Sequence, residues 1–400
     1  MFGNQEVRGF GRPALPLWQR MTACSIGFFL AGLVGSLLSA PHATSANFWL
    51  PAGVFVSVLL LNPTRDWPWL ALAVLPANLA FDYIHDPAPN LELILIFYCS
   101  NVIQAVLGSW LVRRFVAEYP TLCTLNEFWG VMVLGGILSA VVGAIIGAAA
   151  LTISGLSPSF FGAWSLWWTG VAMAVVVFAP VLLTWLPWLA RRNRMRPPVV
   201  RGAKKLEAVA LFLGLSLSTW YFLVHTAWLN APKVTLLIFV LWAGLRFGVR
   251  GAALTVFWLA LLMAFLTTHY MKGVSPADLV SGGYIVTLQI NLAVAAFIGL
   301  IPAIILGERD EAMKKLRDGE ESLRATIENT PYVAVQWYDQ RGRVTFWNHA
   351  SEIIYGWASS EATGKTLDEL IFTKDQTMEF QLALSAIEKC SKNLVRLEPS

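Results

Sequence analysis

Between residues 22 and 306 the chain is a succession of apolar runs separated by short polar loops, most about as long as a helix needs to cross a bilayer. That spacing excludes nearly every soluble fold. Lipid offers no partner to backbone N–H and C=O groups, so each run must satisfy them internally as a helix, or in a closed barrel. Barrel strands are only about ten residues long, so runs near twenty select helices. Ten candidate spans follow, at residues 22–40, 48–61, 67–83, 91–112, 128–153, 163–189, 206–225, 234–247, 250–270 and 283–306. The second and eighth are short and fit re-entrant or tilted pieces, which leaves eight full spans as an alternative. The expected fold is an all-α polytopic membrane bundle of about eight to ten transmembrane helices.

Composition agrees: 56% of residues are hydrophobic, 14% are charged, and the mean hydropathy is +0.59. The net charge of +4 then reflects loop Lys and Arg that set orientation, and nucleic acid is not an expected partner. Cys24, Cys99, Cys123 and Cys390 show no C-x-x-C spacing and read as free thiols. Arg8, Arg12 and Arg20 before the first run, with "SAPHATSA" after it, mimic a signal peptide. A run of about nineteen residues with many spans behind it fits an uncleaved first helix better.

Loop charges give an independent check. With the N-terminus in the cytoplasm, inner segments hold fifteen Lys and Arg, seven of them in "RRNRMRPPVVRGAKK", and outer loops hold only Lys233 and Lys272. This asymmetry obeys the positive-inside rule and puts both termini in the cytoplasm.

The densely charged stretch 306–329 leaves the last span on that side. Leu306, Met313, Leu316, Leu323 and Ile327 form a heptad seam, interrupted by Arg309 and Glu320, as in a short parallel coiled coil joining two copies of the chain. A solvated single helix is the plainer alternative. Either helix can transmit a piston, tilt or rotation, which a flexible linker cannot. Beyond it, "VAVQWYDQRGRVTFWN" reads as two strands joined by a turn at residues 339–342. The expected domains are 1–306 in the membrane, 307–328 as a signalling helix and 329–400 as a small cytoplasmic domain.

No charged residue interrupts the middle of a span, and such residues usually mark function. Polar candidates remain. Asn78, Asp82 and His85 fall on one face of the third span, with Glu92 across a short loop, where they could meet a small polar ligand or a proton. Helix capping at the water interface explains them equally well, together with Asp86 and Asn90. Asn101 and Gln104 on the fourth span, and Gln289 and Asn291 on the tenth, read as ligand groups or as interhelical hydrogen bonds. His42, His85, His225 and His269 lie at outer ends but share no metal-ligand spacing, so no metal is expected. Trp164, Trp167 and Trp168 fit an interfacial belt or, less economically, an aromatic platform. Pro51 and Gly53 point to a broken helix with close packing, a place for a hinge. No nucleophile, base and stabiliser cluster appears, and no catalytic residue or cofactor is expected. Trp337, Phe346 and Trp357 read as core.

Two resemblances follow. Residues 322–371 resemble the first two thirds of a PAS domain, through Asp339 and Gly342 in the turn, "WN.A" at 347–350, Gly356 with Trp357, and "SEATGK" at 360–365. The family's last three strands should follow a helix near 375–389, so this α+β PAS-like domain is expected to be incomplete and the chain to come from a longer receptor. "NFWLPAGVFVSVLLLNPTRDWPWLALAVLPANL", "NVIQAVLGSWLVRRF", "WW.G" leading to "APVLL", and "LWAGLRFGVRGAAL" resemble the membrane-associated sensor domain of the first type (MASE type 1). The family often carries an acidic residue where Val171 stands here. The resemblance implies a sensory module in a bacterial inner membrane, upstream of a diguanylate cyclase, phosphodiesterase or histidine kinase. No signature of these outputs occurs in the chain, and His349 sits in the PAS-like helix, not in a phospho-acceptor motif. The expectation is a membrane input module with an unknown small ligand or a membrane partner protein; the competing one is a transporter or facilitator of a small uncharged solute.

Overall fold

The computed structural model describes residues 15–37, 49–85, 90–192, 202–225, 234–270 and 283–371, with isolated positions up to 386. Expectations on His42, Asp86, Lys233, Lys272, Cys390, residues 193–201 of the basic loop and most of the helix near 375–389 fall outside them, as does the side chain of His269. The chain divides into two compact units, Met1–Arg309 and Asp310–Ser400.

Among its described residues the regular elements of the first unit are helices: α1 Leu17–Leu37, α2 Leu50–Leu61, α3 Trp67–His85, α4 Leu91–Phe115, α5 Leu125–Gly130, a π-helical stretch Val131–Leu138, α6 Ser139–Ile153, α7 Phe160–Arg192, α8 Gly202–His225, α9 Val234–Tyr270, and α10 Gly283–Glu328, which continues into the second unit. Six segments among the described residues are long and apolar enough to cross a membrane: Leu17–Leu37, Leu91–Phe115, Leu125–Ile153, Phe160–Ala190, Thr235–Leu266 and Thr287–Glu328. The fold is thus a helical bundle with membrane-length apolar segments, six of them among the described residues against the eight to ten spans expected. Two local features account for much of the difference.

The first is α2. Its 12 residues reach only about 18 Å, well short of the roughly 30 Å hydrocarbon layer. It is buried on every side, from Leu50 to Leu60, and packs against α1, α4 and α7. Pro51 suits its first turn, where a missing N–H costs no hydrogen bond. At Gly53 an added methyl would lie 2.6 Å from Ala174 O, so only glycine lets α2 and α7 approach this closely. The other end leaves carbonyls pointing into protein, and side chains meet them. Arg113 Nη2 donates to Leu60 O at 2.9 Å and to Asn62 O at 2.5 Å, while Trp67 Nε1 donates to Leu59 O at 2.8 Å. A cation at a helix C-terminus also opposes the helix dipole.

The second is α9, which is a hairpin. Gly248, at φ 68°, breaks it. A methyl on Gly299 would lie 2.4 Å from Val240 Cγ1 and 3.6 Å from Ala252 Cβ, although those two residues would stand about 18 Å apart along a straight helix. Residues 234–247 and 250–270, expected as the eighth and ninth spans, therefore lie back to back around the left-handed glycine. Trp185 Nε1 donates to Arg250 O at 3.1 Å beside this turn, and the Arg250 guanidinium lies over Trp188.

In the second unit, β1 Gln336–Tyr338 pairs antiparallel with β2 Val344–Trp347, with Gln336 opposite Trp347. Asp339 Oδ1 accepts from Arg341 N at 2.9 Å and Arg343 N at 2.8 Å, and Gly342 supplies the positive φ, which fixes the expected turn. Short helices α11 His349–Tyr355, α12 Ser359–Ala362 and α13 Leu367–Leu370 follow. They enclose a small core of Val344, Trp347, Ala362, Leu367 and Leu370.

Candidate functional site

Asn78 sits on the buried face of α3, 2% exposed, and its Nδ2 donates to Asp82 Oδ2 at 2.7 Å. His85, one turn further, stacks on Phe81 at 4.2 Å. Its Nδ1 lies 2.8 Å from Phe81 O and its Nε2 3.1 Å from Ser36 Oγ, which ties the ends of α1 and α3 together. Trp49 meets the other side of Phe81, edge-on at 5.4 Å. Asn78 and Asp82 thus pair with each other on α3, and His85 stacks on Phe81 one turn further along. Glu92 is exposed in the first turn of α4, where Asn90 Oδ1 caps the helix by accepting from Glu92 N at 2.9 Å.

Asn101 and Gln104 face inward from α4, at 6% and 1% exposure. Gln104 Nε2 donates to Ser139 Oγ at 3.0 Å and lies 3.5 Å from Gly135 O, and Ser100 Oγ donates to Gly143 O at 2.7 Å. These are interhelical hydrogen bonds between α4 and the segment opposite. Gly143 and Gly108 allow the approach: a methyl on Gly143 would come 2.9 Å from Gln104 Cβ. Asn291 Nδ2 bonds back to Thr287 O. Trp167 lies against Gly147, and Trp168 Nε1 donates to Ile137 O at 2.9 Å, so both indoles take part in helix packing. Among the described residues no group of three His, Cys, Asp or Glu could hold a metal ion.

Three arrangements escaped the sequence. The π-helical stretch has no composition signal; its Gly135 and Ile137 carbonyls meet Gln104 and Trp168 from other helices. At the end of the bundle where α10 emerges, Glu308 Oε1 accepts from the backbone N–H of Leu125 at 3.1 Å, the first residue of α5. A carboxylate suits that helix N-terminus. At the far end of α10, Asn348 is fully buried and holds three segments at once. Its Oδ1 accepts from Val335 N at 2.9 Å and Ser351 N at 3.0 Å, while its Nδ2 donates to Ile327 O at 3.1 Å and Val333 O at 2.9 Å. The "WN.A" spacing could have flagged this residue, though not its grip on the helix.

Along α10 the expected seam lies on the surface, with Met313, Leu316 and Leu323 exposed, and Leu306 and Ile327 partly covered. Where Glu352 follows in α11, the Ser359 backbone N–H and then His349 hold its carboxyl below the usual range.

Comparison with known proteins agrees with this geometry. The MASE1 family model matches residues 21–310 and the PAS fold model residues 321–397. The chain is 23% identical over 240 residues to the probable diguanylate cyclase DgcE of Escherichia coli K12, a match covering 59% of this chain and 20% of that protein. It therefore spans about a fifth of that relative's length. No solved structure matches the chain. With its helical bundle and the family match along most of its length, the chain belongs to the MASE1 family of membrane-associated sensor domains, here followed by a PAS fold.

Proposed function

We propose that this chain is the input module of a bacterial inner-membrane receptor, with both termini in the cytoplasm. It answers to a signal in the membrane or periplasm and drives an output domain of the diguanylate cyclase type through α10. One observation carries the reading: α10 is a single 46-residue helix from Gly283 to Glu328. Its first half is buried in the core of the helical bundle at Leu288, Leu292, Leu300 and Ile304, and its last turn is gripped by Asn348. A helix is stiff along its axis, so a displacement of one stretch moves the other. The exposed stripe of Met313, Leu316 and Leu323 is the face for a second copy, in the manner of a parallel coiled coil. The outer turns of α3, with the Asn78–Asp82 pair and His85 stacked on Phe81, are the ligand end, for a small polar molecule or a proton. The cyclase output rests on the name of the relative, DgcE.

A chimera carrying a diguanylate cyclase domain after residue 400 tests this. Inserting one to four alanines after Lys315 should make cyclic-di-GMP levels vary with helical phase, since each residue turns the helix by about 100°. Output indifferent to phase refutes a rod. Saturable solute flux through the purified chain in liposomes would instead favour a transporter.

A further inference from the structure

The π-helical stretch Val131–Leu138 lies between the part of this segment that faces Gln104 and the part that touches the outgoing helix. We infer that it is a two-state register switch, whose conversion to α geometry turns α5 and releases Glu308 from Leu125. This deepens the reading of α10 as a rod and rests on it.

π-Helix is rare because its hydrogen-bond register is poorer than that of the α-helix, and it appears where one residue too many has been accommodated. Here the irregularity shows at its end. Ser139 N–H donates to Gly136 O, not to Gly135 O as α geometry would have it. The Gly135 carbonyl is met from the side, by Ser139 Oγ at 2.8 Å and by Gln104 Nε2 at 3.5 Å. Two residues further along, Trp168 of α7 donates to Ile137 O at 2.9 Å. Side chains from two neighbouring helices therefore hold π carbonyls in place. The hold is incomplete: Gln104 is 1% exposed, yet its Oε1 has no partner, a standing penalty on this register. Both features leave the α register within reach.

Removing one residue's worth of register rotates the two halves of the segment by about 100° and shifts them by about 1.5 Å relative to each other. The half bearing α5 meets α10 at two places. Phe128 and Trp129 pack on Phe297 with ring centroids 5.9 and 5.5 Å apart, and Leu125 N–H is held by Glu308. A rotation of that size cannot keep either contact. Whatever shifts α4 or α7 against the segment then reaches α10 through α5.

The variant Gln104→Leu removes one side-chain donor with little change of volume, and Trp168→Phe removes another together with part of the indole ring. Both should leave the bundle folded by thermal unfolding, and both should speed amide exchange at Leu125 by about tenfold or more, as expected when a charge-assisted bond is lost. Glu308→Ala sets the scale for a released latch. If both variants fold and Leu125 exchanges within about twofold of wild type, the switch is overturned; if one fails to fold, the other decides. Disulfide cross-linking of single cysteines across residues 311–317 in membranes reads the face of α10 turned to a second copy. Faster exchange at Leu125 with an unchanged cross-linking face upholds the switch and defeats the rod.

Discussion

Asn348 gives the sharpest prediction, because two explanations of it part company on a single atom. As a helix N-cap it needs only an oxygen, and aspartate caps as well as asparagine. As a weld it also needs the amide nitrogen, which donates to Ile327 O at 3.1 Å and Val333 O at 2.9 Å. In Asn348→Asp the cap contacts to Ser351 N and Val335 N survive, but a carboxylate oxygen faces two carbonyls. Losing two donors and adding repulsion in a fully buried position should cost on the order of 2 to 3 kcal/mol. Amide exchange at Val344, bonded to Lys365 O at 2.9 Å and untouched by Asn348, reports opening of the second unit. A 2 kcal/mol loss corresponds to about thirtyfold faster exchange there. Asn348→Ala should be at least as harmful, since it gives up the cap as well. If Asn348→Asp exchanges like the wild type, Asn348 is a cap alone and its grip on the end of α10 carries no weight.

Other expectations follow from the same contacts. Gly53→Val places carbon 2.6 Å from Ala174 O and should destabilise the bundle by about 1 to 3 kcal/mol, seen as a lower melting temperature in detergent; an unchanged midpoint would show that α2 and α7 can part freely. Arg113→Lys keeps the charge but cannot reach both Leu60 O and Asn62 O while lying between Trp67 and Tyr119, so it should destabilise nearly as much as Arg113→Ala; full stability of the lysine variant would reduce the site to simple charge. The Glu352 carboxyl is held low by Ser359 N–H and His349, so its contribution is complete above the unfolded value of about 4.3 and disappears as pH falls through the lower folded value. Exchange protection of α11 should drop in that acid range, and Glu352→Gln should flatten the dependence.

Much of this architecture is legible because lipid is an unforgiving solvent. The membrane segments, the turn at Asp339 and Gly342, and the long helix from Gly283 were all visible in patterns local to the chain. Asn78 with Asp82 was also visible, since helical spacing alone brings them within reach. The π register was not: its Gly135 and Ile137 carbonyls meet Gln104 and Trp168, donors from other helices. The same holds for the burial of α2, whose twelve residues read like a weak span until Arg113 and Trp67 are seen closing its end.

By itself, then, the sequence determined the solvent and the helical character of the membrane segments, since apolar run length and backbone hydrogen bonding leave few choices in a bilayer. Only the packed bundle decided which helices fall short, where α9 doubles back, and which carbonyls are met from the side. Those outcomes depend on close approach between distant segments, at Gly53, Gly299 and Glu308, and no local pattern encodes a distance across the fold.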